Sequence, residues 1–387
     1  MLTPATPQNR LERIAAARRA VLDDGLAPAQ AMAPWVERSW RRCLAAGLSV
    51  RAPVEFACVP ASEQRLTQEA NQRLLQAAQT VLGNLARAIV NTRYFAILTN
   101  AHGMVVDAQG AIDHSDPRAH LITRVGTDLS EMRLGTTAIG TALAELQPVW
   151  LHRGEHFFEA TSVYSCAGAP LLGPDGRCVG MLDVTGVDTQ ERPELKHLVA
   201  QSARKIENAL LLNAPHHLLL RLNWPGDSLG SDADGLLALD ADGWVVGANP
   251  VARQLVPGLG AEAVTGAQAS GTAPQPPAVA PGQRPHASLD APVHVSALFG
   301  LAFEQIFDAA HGQAPFELPL WSGLRLQAMS QPCGQAGRPT RLALRDVQLV
   351  LIRNALEAAR GNVAQAAQAL GISRATLYRR LHQRPGP

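Results

Sequence analysis

Lysine is nearly absent from this 387-residue chain. Only Lys196 and Lys205 interrupt a basic complement that is otherwise arginine, and 34 Lys and Arg face 33 Asp and Glu for a net charge of +1. A balance so close to zero gives no global pull toward nucleic acid or an acidic membrane surface. Cysteine is scarce as well. Cys43, Cys58, Cys166, Cys178 and Cys333 are odd in number, scattered, and without C-x-x-C spacing, which argues against a disulfide framework or a structural zinc knot and for reduced thiols. Long hydrophobic runs are missing. Arg10, Glu12, Arg13, Arg18 and Arg19 break up the first twenty residues, and no other apolar stretch is long enough to span a bilayer, so a cytoplasmic protein without a membrane partner is expected. There is no phosphate-cradling loop ending in Lys-Ser/Thr. Gly173-Pro174-Asp175-Gly176 and a Gly-rich stretch further on have no following Lys, so neither ATP hydrolysis nor any cofactor is expected.

What is present is concentrated at one end. From Arg338 onward nine Arg stand against Asp346 and Glu357, which leaves +7 in a chain whose total is +1. Val347, Leu351, Ala355 and Ala358 recur at helical spacing up to Gly361, a residue suited to closing a helix. Asn362 is placed to cap a second helix with the stripe Val363, Ala366, Ala367, Leu370, which Gly371 ends. Ile372 anchors the turn, Ser373 caps a third helix, and Leu377, Tyr378 and Leu381 form its apolar face. Arg374, Thr376, Arg379 and Arg380 are left outward, as a recognition helix requires: residues at its start meet base edges, and arginines elsewhere neutralise phosphate. Ser373, Arg374, Thr376, Tyr378, Arg379, Arg380 and Arg384 are the candidate DNA-binding residues. A solvated amphipathic hairpin is the plainer alternative, but caps, stripe, turn and charge agree. The stretch GNVAQAAQALGISRATLYRRL resembles the Fis-type C-terminal domain of bacterial enhancer-binding regulators.

Upstream the periodicities change. Residues 34–50 place Trp35, Val36, Trp40, Cys43 and Leu44 on one helical face with Gly47 as a stop, a packed core helix of which no chemistry is expected, with contact of Arg41 and Arg42 to DNA or a partner as the alternative. A long helical pattern covers 62–93. Strand signals follow at 94–99, 104–106, 148–152, 164–172 and 178–185, with turns at 100–103 and at Pro174-Asp175-Gly176. A helix over 191–212 closes the region, and helix, antiparallel sheet, helix is an α+β sensor architecture.

This region resembles a GAF domain of the kind found in regulators of acetoin and glycerol catabolism. The likeness is carried by residues 133–143 (RLGTTAIGTAL), Glu155-His156-Phe157, 165–170 (SCAGAP) and 180–186 (GMLDVTG), and SWRRCLAAGL matches that family's opening. The family usually has Asn where Thr137 stands. The resemblance implies a small-molecule effector bound in a pocket that is mostly apolar with a few placed polar groups. Thr137, His152, His156, Phe157, Tyr164 and Cys166 are the candidate ligand-binding residues. Some GAF domains are methionine sulfoxide reductases, which makes a thiol redox sensor or enzyme the rival reading. Such chemistry needs an attacking thiolate and a resolving thiol. Cys178 lies a hairpin away from Cys166, but no flanking cation lowers the Cys166 pKa, so no catalytic residue is expected. His152 and His156 have an i, i+4 spacing, yet His152 ends a strand and no third ligand matches, so no metal site is expected.

Residues 234–249 read as an Asp-Gly hairpin that resembles the opening strands of a PAS domain. Residues 257–290 are Pro/Gly/Ala-rich and are expected to be a flexible insertion, with a helix over 295–308 and closing strands over 316–329. The expected organisation is α+β and multidomain: an N-terminal helical arm (1–60), a GAF-type antiparallel-sheet sensor with flanking helices (61–213), a degenerate PAS-like α+β module (225–335) and an all-α helix-turn-helix (341–387). Regulators of the resembled family usually carry an ATPase that remodels a sigma-54 polymerase, and nothing here matches it. The outputs left are recruitment of RNA polymerase, occlusion, or help to another regulator. The expected function is a homodimeric, ligand-responsive transcriptional regulator that binds a double-stranded DNA operator and a small-molecule effector.

Overall fold

The computed structural model describes residues 7–26, 32–54, 56, 59–259, 292–312 and 314–332. Met1–Cys333 form one compact unit and Gly334–Pro387 a second. The proposed helix-turn-helix, with Ser373, Arg374, Thr376, Tyr378, Arg379, Arg380 and Arg384, lies outside the described residues, as does most of the proposed insertion.

Two N-terminal helices, α1 (Pro7–Arg18) and α2 (Pro34–Ala45), open the chain. The long helix expected over 62–93 is two, α3 (Ala61–Ala70) and α4 (Gln72–Ile89), broken at Asn71 with φ −109° and ψ 18°. The Asn71 side chain donates to the Thr67 carbonyl at 2.7 Å, so local side-chain bonding competes with the helical ladder there. α3 buries nothing, whereas α4 buries Leu74, Ala78, Leu82, Leu85 and Ile89 along one stripe.

Five strands then build an antiparallel sheet: β1 (Tyr94–Asn100), β2 (Val105–Gly110), β3 (Val149–His152), β4 (Tyr164–Leu172) and β5 (Cys178–Val187), in the order β2-β1-β5-β4-β3. Three short helices, α5 (Pro117–Ile122), α6 (Glu131–Leu134) and α7 (Ala138–Glu145), fill the β2–β3 connection. They escape a periodicity reading because each is too short to show a stripe. α8 (Leu195–Leu212) follows the sheet.

Both faces of this sheet are buried, and side-chain alternation divides them. Tyr94, Ala96, Leu98, Ala167, Ala169, Leu182 and Val184 pack against the stripes of α4 and α8. Phe95, Ile97, Tyr164, Cys166, Met181 and Val187 point the other way, toward α1, α2, α5, α6 and α7. The N-terminal helices are thus part of the second core. In keeping with a packed core helix, Arg42 is bound to Glu131 at 2.8 Å and Glu145 at 2.6 Å, while Arg41 pairs with Glu37 of its own helix at 2.7 Å.

A second antiparallel sheet contains β6 (Leu218–Asn223), β7 (Gly235–Leu239), β8 (Val245–Ala248), β9 (Phe316–Pro319) and β10 (Arg325–Pro332), ordered β8-β7-β6-β10-β9. Helices α9 (Pro250–Leu255), α10 (Val295–Leu298) and α11 (Phe303–Gly312) accompany it. The hairpin expected at 234–249 forms β7 and β8, and β6, a strand without a sequence expectation, lies before it in the chain and at the middle of the sheet. Its three consecutive leucines carry no period-2 signal.

The two sheets are joined by α8 and by the β4–β5 turn. Leu211 packs with Leu219, Leu236 and Ala238. The Pro174 carbonyl accepts from the Ala248 amide at 2.9 Å and from the Arg253 guanidinium at 2.8 Å. The Asn249 side chain donates to Asn208 of α8 at 2.8 Å. Among the described residues, no helix is long and apolar enough to cross a membrane.

Candidate functional site

β4 and β5 set Cys166, Asp183 and Thr185 on the face of the first sheet that looks toward α7, because residues two apart share a face and Cys166 pairs directly with Thr185. Ile97 of β1 stands beside Asp183. Helix α7 comes down on the sheet at Gly168, where an added Cβ would lie 3.0 Å from the Ala138 carbonyl. Between these elements is a cavity of about 30 Å³, lined by Ile97, Ile122, Leu129, Leu134, Ala138 and Ile139 and by the polar side chains of Thr137, His156, Thr161, Tyr164, Cys166, Asp183 and Thr185.

The polar groups form a chain. His156 is fully buried. Its Nδ1 lies 2.9 Å from the Arg153 carbonyl, which can only accept, so Nδ1 carries the proton and Nε2 faces Cys166 Sγ at 3.4 Å as an acceptor. Burial, helped by nearby Arg18, holds the imidazole neutral by bringing its pKa down to about 4. Thr185 Oγ1 lies 3.2 Å from Cys166 Sγ and also bonds Asp183 Oδ2. Burial pushes the Asp183 pKa up to about 7, against the hydrogen bond from Thr185. A hydroxyl has one proton to give. When Asp183 is protonated it donates to Thr185, Thr185 to Cys166, Cys166 to His156 and His156 to Arg153, and every proton has an acceptor.

One atom is left over. Asp183 Oδ1 is buried and has no partner among the described residues. A buried polar group in that condition costs about 1–3 kcal/mol, more if charged.

Of the six side chains read as ligand-binding, four line the cavity: Thr137, His156, Tyr164 and Cys166. His152 does not. It ends β3 paired with Ser165, and alternation turns both to the opposite face, where His152 Nδ1 meets Ser165 Oγ at 2.7 Å and the ring stacks near Trp150. Phe157 is buried beside the cavity rather than in its wall, and packs on Gly135, where φ is +59° and an added Cβ would come within 2.7 Å of the Phe157 Cβ. Thr137 has a second duty: its hydroxyl caps α7, accepting from the Gly140 amide at 3.0 Å. Asp183 and Thr185 escaped the sequence reading, although both sit in the GMLDVTG motif. An Asp inside a ten-residue β run was the available signal, since acidic residues are almost never fully buried without a reason.

The arm braces the loop that carries His156. Arg18 of α1 donates to the Gly154 carbonyl at 2.9 Å, to the Phe157 carbonyl at 2.5 Å and to the His156 carbonyl. Trp40 of α2 donates to the Glu155 carbonyl at 2.9 Å. Ser39 bonds Thr136 Oγ1 at 2.7 Å, next to Thr137.

Thiol chemistry finds little support here. Burial, with Asp183 close by, holds the Cys166 pKa well above its ordinary value. Cys178 pairs with Leu172, six residues along β4 from Cys166, which at the strand rise is about 20 Å away. No group of three or more His, Cys, Asp or Glu among the described residues could hold a metal ion.

A buried, partly polar cavity in a mixed α+β unit stands ahead of a segment that matches the family described as bacterial regulatory protein, Fis family, over residues 343–383. The chain therefore carries a segment similar to that family over those residues. The chain belongs to the family described as MimR, N-terminal domain, which matches residues 12–208, half of its length and the whole of the cavity with its brace. Similar curated proteins are the acetoin catabolism regulatory protein of Cupriavidus necator (31% identical over 229 residues, 58% of this chain and 34% of that one) and the propane 2-monooxygenase operon transcriptional activator MimR of Mycolicibacterium goodii (29% over 214 residues, 54% and 35%). The chain spans about a third of the length of these relatives. Among solved structures, the E. coli DhaR(N)–DhaL complex aligns at a TM-score of 0.44 and 13% identity, over 78% of this chain and 100% of that one.

Proposed function

We propose that this protein is a ligand-responsive, DNA-binding transcriptional regulator that reads an operator through residues 341–387 and a small metabolite through the cavity on the first sheet. The match to the Fis family over 343–383 carries this reading, because it falls on the one strongly basic segment of the chain. In this proposal residues 61–213 are a GAF-type sensor with Thr137, His156, Tyr164 and Cys166 around the effector, and the second sheet is a PAS-like spacer. The protein acts without catalysis, as a homodimer on paired half-sites, and its output reaches RNA polymerase by recruitment or by occlusion rather than through an ATPase. The names of the similar regulators, which refer to acetoin catabolism and to a propane 2-monooxygenase operon, support a small metabolite as the signal.

Selecting bound sequences from a random duplex pool and measuring isotherms at several salt concentrations tests the DNA half. Arg374→Ala should cost about 1–3 kcal/mol on the selected operator and little on scrambled duplex, as a base contact does. Arg380→Ala should weaken both alike and lower the salt slope by about one, as a phosphate contact does. Failure to enrich any sequence would remove the operator from the proposal.

A further inference from the structure

We propose that the cavity takes a small, uncharged aliphatic molecule bearing a hydroxyl group, and that Asp183 is the residue that reads that hydroxyl. The inference rests on the sensor reading above and narrows it to a chemical class.

The argument is one of elimination among the polar atoms of the wall. Thr137 Oγ1 accepts from the Gly140 amide, Thr161 donates to the Phe158 carbonyl at 3.0 Å, and Tyr164 donates to the Arg118 carbonyl at 3.1 Å. His156, Cys166 and Thr185 are engaged with one another and with Arg153. Asp183 Oδ1 alone has no partner among the described residues, on a side chain that is fully buried and part of the cavity wall. What Asp183 Oδ1 lacks is therefore a single hydrogen-bond donor, while Thr137, which accepts from Gly140, keeps its own hydroxyl proton.

That requirement sorts ligands. A ketone can accept from the Thr137 hydroxyl but has no proton to give, so it leaves Asp183 Oδ1 unsatisfied. A carboxylate brings no donor for Asp183 Oδ1 and a charge that the apolar wall leaves unsolvated. An ammonium brings three donors to one open acceptor, and the rest of the wall is Ile97, Ile122, Leu129, Leu134, Ala138 and Ile139, so its remaining hydration is stripped without replacement. A hydroxyl supplies one donor and no charge, and its carbon skeleton meets the apolar wall.

Size points the same way. The cavity, at about 30 Å³, holds roughly the share of one water. The occupant must be small and must displace part of the wall.

The test is a matched series on the full chain: 2-butanol, butanone, butyrate and sec-butylammonium, each extended to five and six carbons, read by calorimetry and by the shift in melting temperature. An alcohol should bind at least tenfold more tightly than its matched ketone, acid or amine, as expected for a site built around a hydroxyl. In Asp183→Leu, which removes the acceptor, alcohol and ketone should fall within about threefold of each other. The wild-type series needs no variant to fold. Ketones or amines that bind as well as the alcohols overturn the inference and leave the sensor reading standing. Silence from every probe overturns the sensor reading as well.

Discussion

The two five-stranded sheets bury very different things. The second packs Leu218, Leu220, Leu222, Leu237, Leu239, Leu318 and Leu326 into one apolar core, and its buried Ser330 is satisfied by the Ile306 carbonyl at 2.8 Å. The first carries on one face a carboxyl, a thiol, an imidazole and hydroxyls, with one carboxyl oxygen left open. An apolar core explains itself through burial. A fully buried Asp with one oxygen unpartnered among the described residues is a standing loss of stability, and such losses gather where a protein must meet something that is not part of itself. The comparison thus separates a scaffold from a site without reference to any relative.

The largest expected effect lies on the scaffold side. Leu237→Ala removes a fully buried side chain from the centre of the second sheet and should lower stability by about 2–5 kcal/mol in urea titration, with the ligand preference unchanged. If that preference changes, the second sheet is not mere scaffold and the distinction fails.

A smaller effect of opposite sign should mark the site. The folded-state pKa of Asp183 lies above its unfolded value near 3.8, at about 7, so its favourable contribution is complete below pH 4 and is lost as pH rises through 7. Asp183→Asn should therefore be more stable than the parent at pH 8 by about 1–3 kcal/mol, with the gain fading toward pH 4. Glu207, also pushed up to about 7 by burial, tilts the parent in the same direction, so only the difference between the two proteins isolates Asp183. A variant less stable than the parent at pH 8 would mean that Oδ1 has a partner after all.

The smallest effect sharpens the comparison within the site. Thr137→Ala should cost about 1 kcal/mol through loss of the α7 cap, measured by thermal unfolding, and a variant as stable as the parent would mean that the cap contributes nothing.

The strands of the first sheet were legible to within a few residues, because the shift from a 3.6 to a 2.0 period and the turns at 100–103 and 174–176 are local signals. The face each strand turns inward was not. That is why His152 was grouped with His156 although a single β3–β4 pairing sends it to the other side, and why Asp183 was passed over inside a motif already singled out. Arg18 and Trp40 were unreadable for another reason: each reaches a carbonyl more than a hundred positions away, and no local pattern reports such a contact. β6 was missed because a run of leucines has no period.

The β4–β5 turn has a consequence for how this sequence can vary. Hairpin tips are ordinarily where insertions and grafts are accepted, because nothing leans on them. Here the Pro174 carbonyl holds Ala248 and Arg253, and an added Cβ at Gly247 would come within 2.8 Å of the Pro174 ring. A tag spliced into residues 173–176 should therefore behave like an insertion into a core, whereas the same tag at Gly226 or Gly323, where an added Cβ meets nothing within 4 Å, should pass unnoticed.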